Sequence, residues 1–205
     1  MSESDCAPFQ IVFYLVITGS YDLKLKWRNR CLNILETPRL VLRRLTSDDA
    51  PFILRLLNEP SWHRYIGDKG VRTLADARSY IESGPLEMYQ RLGFGLYCVE
   101  LKESGAPIGL CGLIRRASLE NVDLGFALLP EFWAQGYARE SSSAVLEYAV
   151  QVLGLQKVVA ITSQDNFASA KLLERLGFRF ERVAQLAVDA AEVNLYAREL
   201  KDQRH

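Results

Sequence analysis

Familiar chemical signatures are scarce in this chain of 205 residues. Its four cysteines, Cys6, Cys31, Cys98 and Cys111, include no CxxC pair, which removes the usual mark of a structural zinc site or a thioredoxin-type centre and leaves reduced thiols as the simpler reading. Neither GxGxxG nor GxxxxGK[ST] occurs, so neither a Rossmann dinucleotide loop nor a Walker loop is supported. A charge excess is also missing: 25 Lys+Arg stand against 25 Asp+Glu. A chain that neutralises many phosphates usually carries a basic surplus, so a nucleic-acid partner is not expected. The longest apolar-rich run near the start, Phe9 to Ile17, falls short of the roughly 18 residues that a membrane span needs. Glu3 and Asp5 precede it with no Lys or Arg, the wrong charge for a secretory leader. Together these absences predict a cytoplasmic protein with no membrane span and no metal.

What is present is an ordinary globular composition, 49% hydrophobic and 24% charged, which excludes disordered and collagen-like chains. Residues 1–35 show no continuing core pattern and read as an N-terminal extension, disordered or loosely docked. From residue 36 the chain reads as one domain to 205. Arg39 to Arg44 alternates as a strand, and Ser47-Asp48-Asp49 supplies cap residues for a helix bearing Phe52, Ile53, Leu56 and Leu57, closed by Pro60. A second helical stretch runs from Thr73 to about Leu92, interrupted at Gly84-Pro85.

Three strands follow as a meander: Phe94 to Leu101, Pro107 to Ile114 and Val122 to Leu128. The Arg115-Arg116 pair reads as a solvated turn between two of them. Then the period lengthens, with Ala138, Val145, Tyr148, Ala149 and Val152 on one helical face that Gly154 ends. A strand from Lys157 to Thr162, a helix from Phe167 to Leu176 and a closing hairpin complete the order. Strands and helices in this sequence predict an α+β fold: a mixed, mostly antiparallel sheet of six to seven strands with helices on both faces.

Two segments carry the chemistry. The first is Leu124-Gly-Phe-Ala-Leu-Leu-Pro-Glu-Phe-Trp-Ala-Gln-Gly-Tyr-Ala-Arg-Glu140, a strand, a loop with Gly136 and a helix start. That arrangement offers unpaired backbone N–H groups and a positive helix end to an anion, a phosphate or pyrophosphate above all. The second is Asn166-Phe-Ala-Ser169, directly after a β-branched strand and ending in Leu176-Gly-Phe178. Asn166 is a natural N-cap. Cys98 and Cys111 lie in apolar strands and read as core thiols.

With the opening Glu36-Thr-Pro-Arg-Leu-Val-Leu-Arg-Arg-Leu45, these segments resemble the GNAT superfamily of N-acetyltransferases, and within it the RimJ/RimL-like branch of ribosomal-protein N-terminal acetyltransferases. The resemblance spans about residues 36 to 200. It implies a splayed strand pair that admits acetyl-CoA, with the pantetheine along Phe126, Ala127 and Leu128. The pyrophosphate would lie on Gln135, Gly136, Tyr137, Ala138 and Arg139, and Asn166 and Ser169 would face the cofactor. It implies direct transfer of an acetyl group to a primary amine, with an oxyanion held by a backbone N–H near Ala127 or Leu128 and a proton taken by Asp123 or Glu120. Trp133 stands where the superfamily's general motif has Arg or Gln, as the RimJ/RimL-like branch tends to have it. The tyrosine acid of many relatives falls at Leu173, so Ser169 or a water would protonate the thiolate.

Trp62 and His63 lie in the loop between the first two helices, where this family builds its acceptor pocket. Expected partners are acetyl-CoA and a peptide or small-molecule amine, foremost a peptide or protein N-terminal α-amine, with a homodimer allowed. Two alternatives stay open: a non-catalytic acyl-CoA-binding module, and an acetyltransferase of a small-molecule amine.

Overall fold

Leu40–Arg43 alternates inward Leu40 and Leu42 with half-buried Val41 and Arg43, the pattern of a strand with one face on a core. In the computed structural model, which describes residues 33–188 and 190–200, this is β2, and it pairs with β1 (Asn33–Glu36) on one side. The N-terminal extension falls, up to residue 32, outside the described residues. Its last positions instead belong to β1, an addition to the expected six to seven strands.

Among the described residues the strands are β3 (Leu96–Leu101), β4 (Pro107–Ile114), β5 (Val122–Leu128), β6 (Lys157–Ser163), β7 (Arg179–Gln185) and β8 (Glu192–Glu199), after β1 and β2. They form one sheet in the order β1-β2-β3-β4-β5-β6-β8-β7. Every neighbouring pair is antiparallel except β5 with β6. Central β4 is buried from Ile108 to Leu113. Gly112 is required there, because a Cβ would stand 2.1 Å from the Gly95 carbonyl oxygen.

The helices are α1 (Ala50–Leu57), α2 (Pro60–Tyr65), α3 (Leu74–Ile81), α4 (Glu87–Leu92), α5 (Tyr137–Gln151) and α6 (Phe167–Arg175). Helices α1 to α3 bury Ile53, Leu56, Leu57, Trp62, Ala77 and Ile81 against Cys98, Leu110 and Leu129 on one face of the sheet. Helices α5 and α6 bury Val145, Leu146, Ala149 and Leu173 against Leu124, Leu128 and Val158 on the other. The expected layering, helices on both faces of a mixed sheet, is what forms.

Four local readings change. Pro60 does not close α1; Asn58 ends it, its Nδ2 donating to the Leu54 and Val71 carbonyls at 2.8 and 2.9 Å, and Pro60 opens α2 at a position where a missing N–H costs nothing. His63 therefore lies on a helix and not in a loop. Gly84-Pro85 does not interrupt its helix either: a π-helical turn, Glu82–Leu86, absorbs the proline between α3 and α4. In α5 the buried face includes Ser141 and Ser142 and omits Val152, which is 66% exposed. Ser141 is tolerated inside because its hydroxyl donates to the Tyr137 carbonyl at 2.9 Å.

Arg43 ties β2 to β3 and to the start of α1. Its guanidinium forks onto both oxygens of Asp49 at 2.8 and 2.7 Å and reaches Glu100 at 2.7 Å, all three side chains under a fifth exposed. Removing one member of a buried charge set strands the others without water or partner. Arg43→Met should therefore lower stability by about 3 to 5 kcal/mol, read from urea unfolding. A loss below about 1 kcal/mol would show that water replaces the guanidinium freely.

Candidate functional site

β5 and β6 pair only at Val122 with Val158 and Asp123 with Val159. Each strand is fully engaged on its far side, β5 with β4 over six positions and β6 with β8 over seven. Beyond Asp123 the two strands therefore part, and the inner edge of Phe126–Leu128 loses its partner. The register decides which groups this frees. The Leu129 N–H donates to the Ile108 carbonyl at 2.9 Å, toward β4, so by strand alternation Ala127 turns its amide to β4 while Phe126 and Leu128 turn theirs to the gap. The Leu128 carbonyl is taken by the Trp133 indole N–H at 2.8 Å. The Phe126 N–H and C=O and the Leu128 N–H remain. An oxyanion donor at Ala127 is thus corrected to Leu128 or Phe126.

The loop after β5 ends in Gly136, with φ +85, as N-cap of α5. No side chain caps this helix, and its first intrahelical bond runs from the Glu140 N–H to the Gly136 carbonyl at 3.0 Å. The N–H groups of Tyr137, Ala138 and Arg139 precede that bond, so they lack helical acceptors and point outward with the positive end of the helix dipole. Helix α6 contrasts with this. There Asn166 Oδ1 accepts from the Ser169 N–H at 3.1 Å, so Asn166 is a cap as its type predicts. The Gln135 side chain folds back onto the Glu131 carbonyl at 2.8 Å, leaving only its backbone at the loop.

Asp123 stands where the strands begin to part. It is 1% exposed, and its Oδ2 accepts from Arg116 Nε at 2.6 Å while Oδ1 has no hydrogen bond. It shares a face of β5 with Ala127, toward the core beneath α1 to α3. Burial pushes its carboxyl up to about 6; the neighbouring Arg116 charge and the nearby Ile161 amide pull the other way without cancelling it. Asp123 is thereby an enclosed acid near neutrality. Glu120, the other base candidate, lies exposed on the turn before β5, its carbonyl held by Arg115. The sequence alone places Arg116 in a solvated turn. The hairpin that aligns Ile114 with Asp123 is what carries it to the carboxylate.

Ser169 is half-buried in the first turn of α6, and Leu173 is fully buried, so the position of the relatives' tyrosine is closed by core packing. Trp62 is a core side chain, 5% exposed, because α2 turns its apolar face inward; a direct substrate contact at Trp62 is corrected on that ground. His63 is half-exposed beside it, with Nε2 4.0 Å from Asp68. The next residue, Arg64, reaches Asp165 on the turn between β6 and α6 at 3.0 Å. Cys98 and Cys111 are buried free thiols, burial pushing Cys111 up to about 11. Among the described residues no group of His, Cys, Asp and Glu could hold a metal, and no helix is long and apolar enough to cross a membrane.

Comparison with known proteins finds a family for the chain. A family model described as the acetyltransferase (GNAT) domain matches residues 39–179. The uncharacterised N-acetyltransferase YoaA of Bacillus subtilis is 32% identical over 152 residues, 73% of this chain and 85% of its own. The solved acetyltransferase of Agrobacterium tumefaciens superposes with a TM-score of 0.70 at 24% identity, over 93% of this chain and 99% of its own. The ribosomal α-N-protein acetyltransferase RimL, solved with coenzyme A, does so with a TM-score of 0.70 at 20% identity, over 82% and 98%.

The raised carboxyl has a measurable sign. With a folded value of about 6 against 3.8 unfolded, Asp123 favours the folded state most when neutral. That contribution is full below about pH 4 and is lost as pH rises through 6. Asp123→Asn should therefore be more stable than the parent at pH 7.5, by up to roughly 3 kcal/mol, with the difference closing near pH 4. Urea unfolding across that range reads it; a parent as stable as the variant at pH 7.5 would mean that Arg116 fully compensates the buried charge.

Proposed function

The chain belongs to the GNAT acetyltransferase family, an acyltransferase that uses acetyl-CoA, and from that premise we propose that it acetylates an α-amino group, foremost a peptide N-terminus, by direct transfer. The observation that carries the reading is the gap between β5 and β6, with free strand amides along one wall and Asp123 at its closed end.

The Leu128 N–H and the Phe126 carbonyl hold the pantetheine amides as an added strand would. The N–H groups of Tyr137, Ala138 and Arg139 hold the diphosphate at the positive end of α5. Bound there, acetyl-CoA supplies an activated thioester carbonyl. The Phe126 N–H, nearer Asp123 and the closed end of the gap, faces the developing oxyanion, a donor fixed by the sheet before reaction begins. Asp123 takes the proton that the attacking amine sheds, through an intervening water, and Ser169 or a water returns one to the thiolate. Glu120, exposed on its turn, is the weaker candidate for the base.

The acceptor class follows from proton balance. At pH 7.5 an α-amine near 7.7 to 8.0 is neutral in a large fraction of molecules, whereas a lysine near 10.4 is neutral in roughly one in a thousand. A carboxylate near 6 suits the first far better than the second.

A panel of peptides with free or blocked N-termini, with lysine-only controls, tests this by mass spectrometry and release of free CoA. Acetylation should fall on free N-termini. The parent's kcat/KM should rise with pH through about 6 as Asp123 loses its proton. Asp123→Asn should lose that limb and about 10²-fold or more in rate. Acetylation confined to lysine side chains would overturn the acceptor class, and an unchanged pH profile in the variant would remove Asp123 as the base.

A further inference from the structure

The opening segment Thr37 to Arg39 has no part in the chemistry above, yet it is bonded to the diphosphate loop from outside. Glu140 sits in the first turn of α5, a carboxylate close to the amides that would take an anion. Its charge is fully engaged. Oε1 accepts from the Thr37 hydroxyl at 2.6 Å and from the Arg39 N–H at 2.9 Å, while Oε2 accepts from Arg39 Nε at 2.7 Å and lies 2.7 Å from Nη2. Although partial burial alone would raise it, the hydrogen bonds from Thr37 and Arg39 hold the Glu140 carboxyl below its ordinary value.

The same guanidinium reaches the loop itself. Arg39 Nη1 donates to the Gln135 carbonyl at 3.0 Å, and its Cζ lies 4.4 Å from the Tyr137 ring centre. A Cβ on Gly136 would stand 3.2 Å from Nη2. One side chain from the turn before β2 therefore touches the residue before Gly136 and the one after it, and it neutralises the nearest carboxylate.

We infer that Arg39 is a positioning residue for the diphosphate of acetyl-CoA, acting through Glu140 and the Gln135 carbonyl and not on the reacting atoms. The inference rests on the reading of the α5 N-terminus as the diphosphate site. Without Arg39, Glu140 becomes an unpaired negative charge within a turn of the bound phosphates, and the Gln135 carbonyl is free to turn its negative end toward them. Both effects oppose an anion. Neither reaches the gap between β5 and β6, so the transfer step itself is untouched once the donor is bound.

The test compares acetyl-CoA with S-acetylpantetheine, which carries the same thioester and no diphosphate. Arg39→Ala should raise KM for acetyl-CoA by about tenfold or more, with kcat within about twofold and S-acetylpantetheine kinetics unchanged. Adding Glu140→Gln to Arg39→Ala should recover most of the lost affinity, because the unpaired charge is gone. Arg39→Lys should fall between, keeping the charge and losing the fork, and it carries the test if Arg39→Ala does not fold.

Equal losses with both donors, or a double variant no better than the single one, would overturn the inference and leave Arg39 a general stabiliser. Failure of the underlying reading looks different: the parent itself would then use S-acetylpantetheine with the same KM as acetyl-CoA.

Discussion

The structure depends on the short pairing of β5 with β6, two positions long between strands that are each fully paired on their other side. Backbone polar groups left without partners away from water are costly, so a sheet normally closes such a gap or covers it. Around it, α5 and α6 pack over one face against both β5 and β6, and α1 to α3 cover β3, β4 and the end of β5 on the other. The gap leaves the amides of Phe126 and Leu128 free. A ligand with its own amides, as pantetheine has, supplies the hydrogen bonds that the missing strand would have made.

The same point of divergence explains the electrostatics. Asp123 lies at the last paired position of β5, where the sheet still excludes water but begins to admit a ligand. Enclosure raises its carboxyl to about 6, and Arg116 keeps it from rising further. A charge held at a stability cost within a site is the usual trade between folding and activity. At the other end of the gap the charge logic reverses. Glu140, which lies near the anion-binding end of α5, is neutralised by Arg39 and Thr37, so the helix end presents a net positive field to a diphosphate.

Much of this was legible in the sequence because it is local. The alternation of Leu40–Arg43, the strands Pro107–Ile114 and Val122–Leu128, and the Gly136 and Asn166 helix starts follow from side-chain period and cap chemistry, and they stand in the structure where those signals put them. What was not legible is non-local or ambiguous in sign. Pro60 marks a helix boundary, but the same residue ends one helix or opens the next, and only the Asn58 bond to Val71 decides it. Arg116 and Asp123 meet through a hairpin register that no spacing announces. Arg39 and Glu140 are a hundred residues apart in sequence and bonded in space. Ser141 and Ser142 look like surface residues until their helix is packed, and Ala127 looks like an oxyanion donor until strand alternation turns its amide away.

The central claim is that acetyl-CoA fills the unpaired strand edge and the uncapped helix end together. Amide hydrogen exchange, resolved by residue with and without acetyl-CoA, tests it most directly. Binding should slow exchange at Phe126 and Leu128 and at Tyr137, Ala138 and Arg139, while the Ala127 amide, already bonded to β4, should change little. Protection by acetyl-CoA that leaves both groups untouched and falls on other segments would contradict the account.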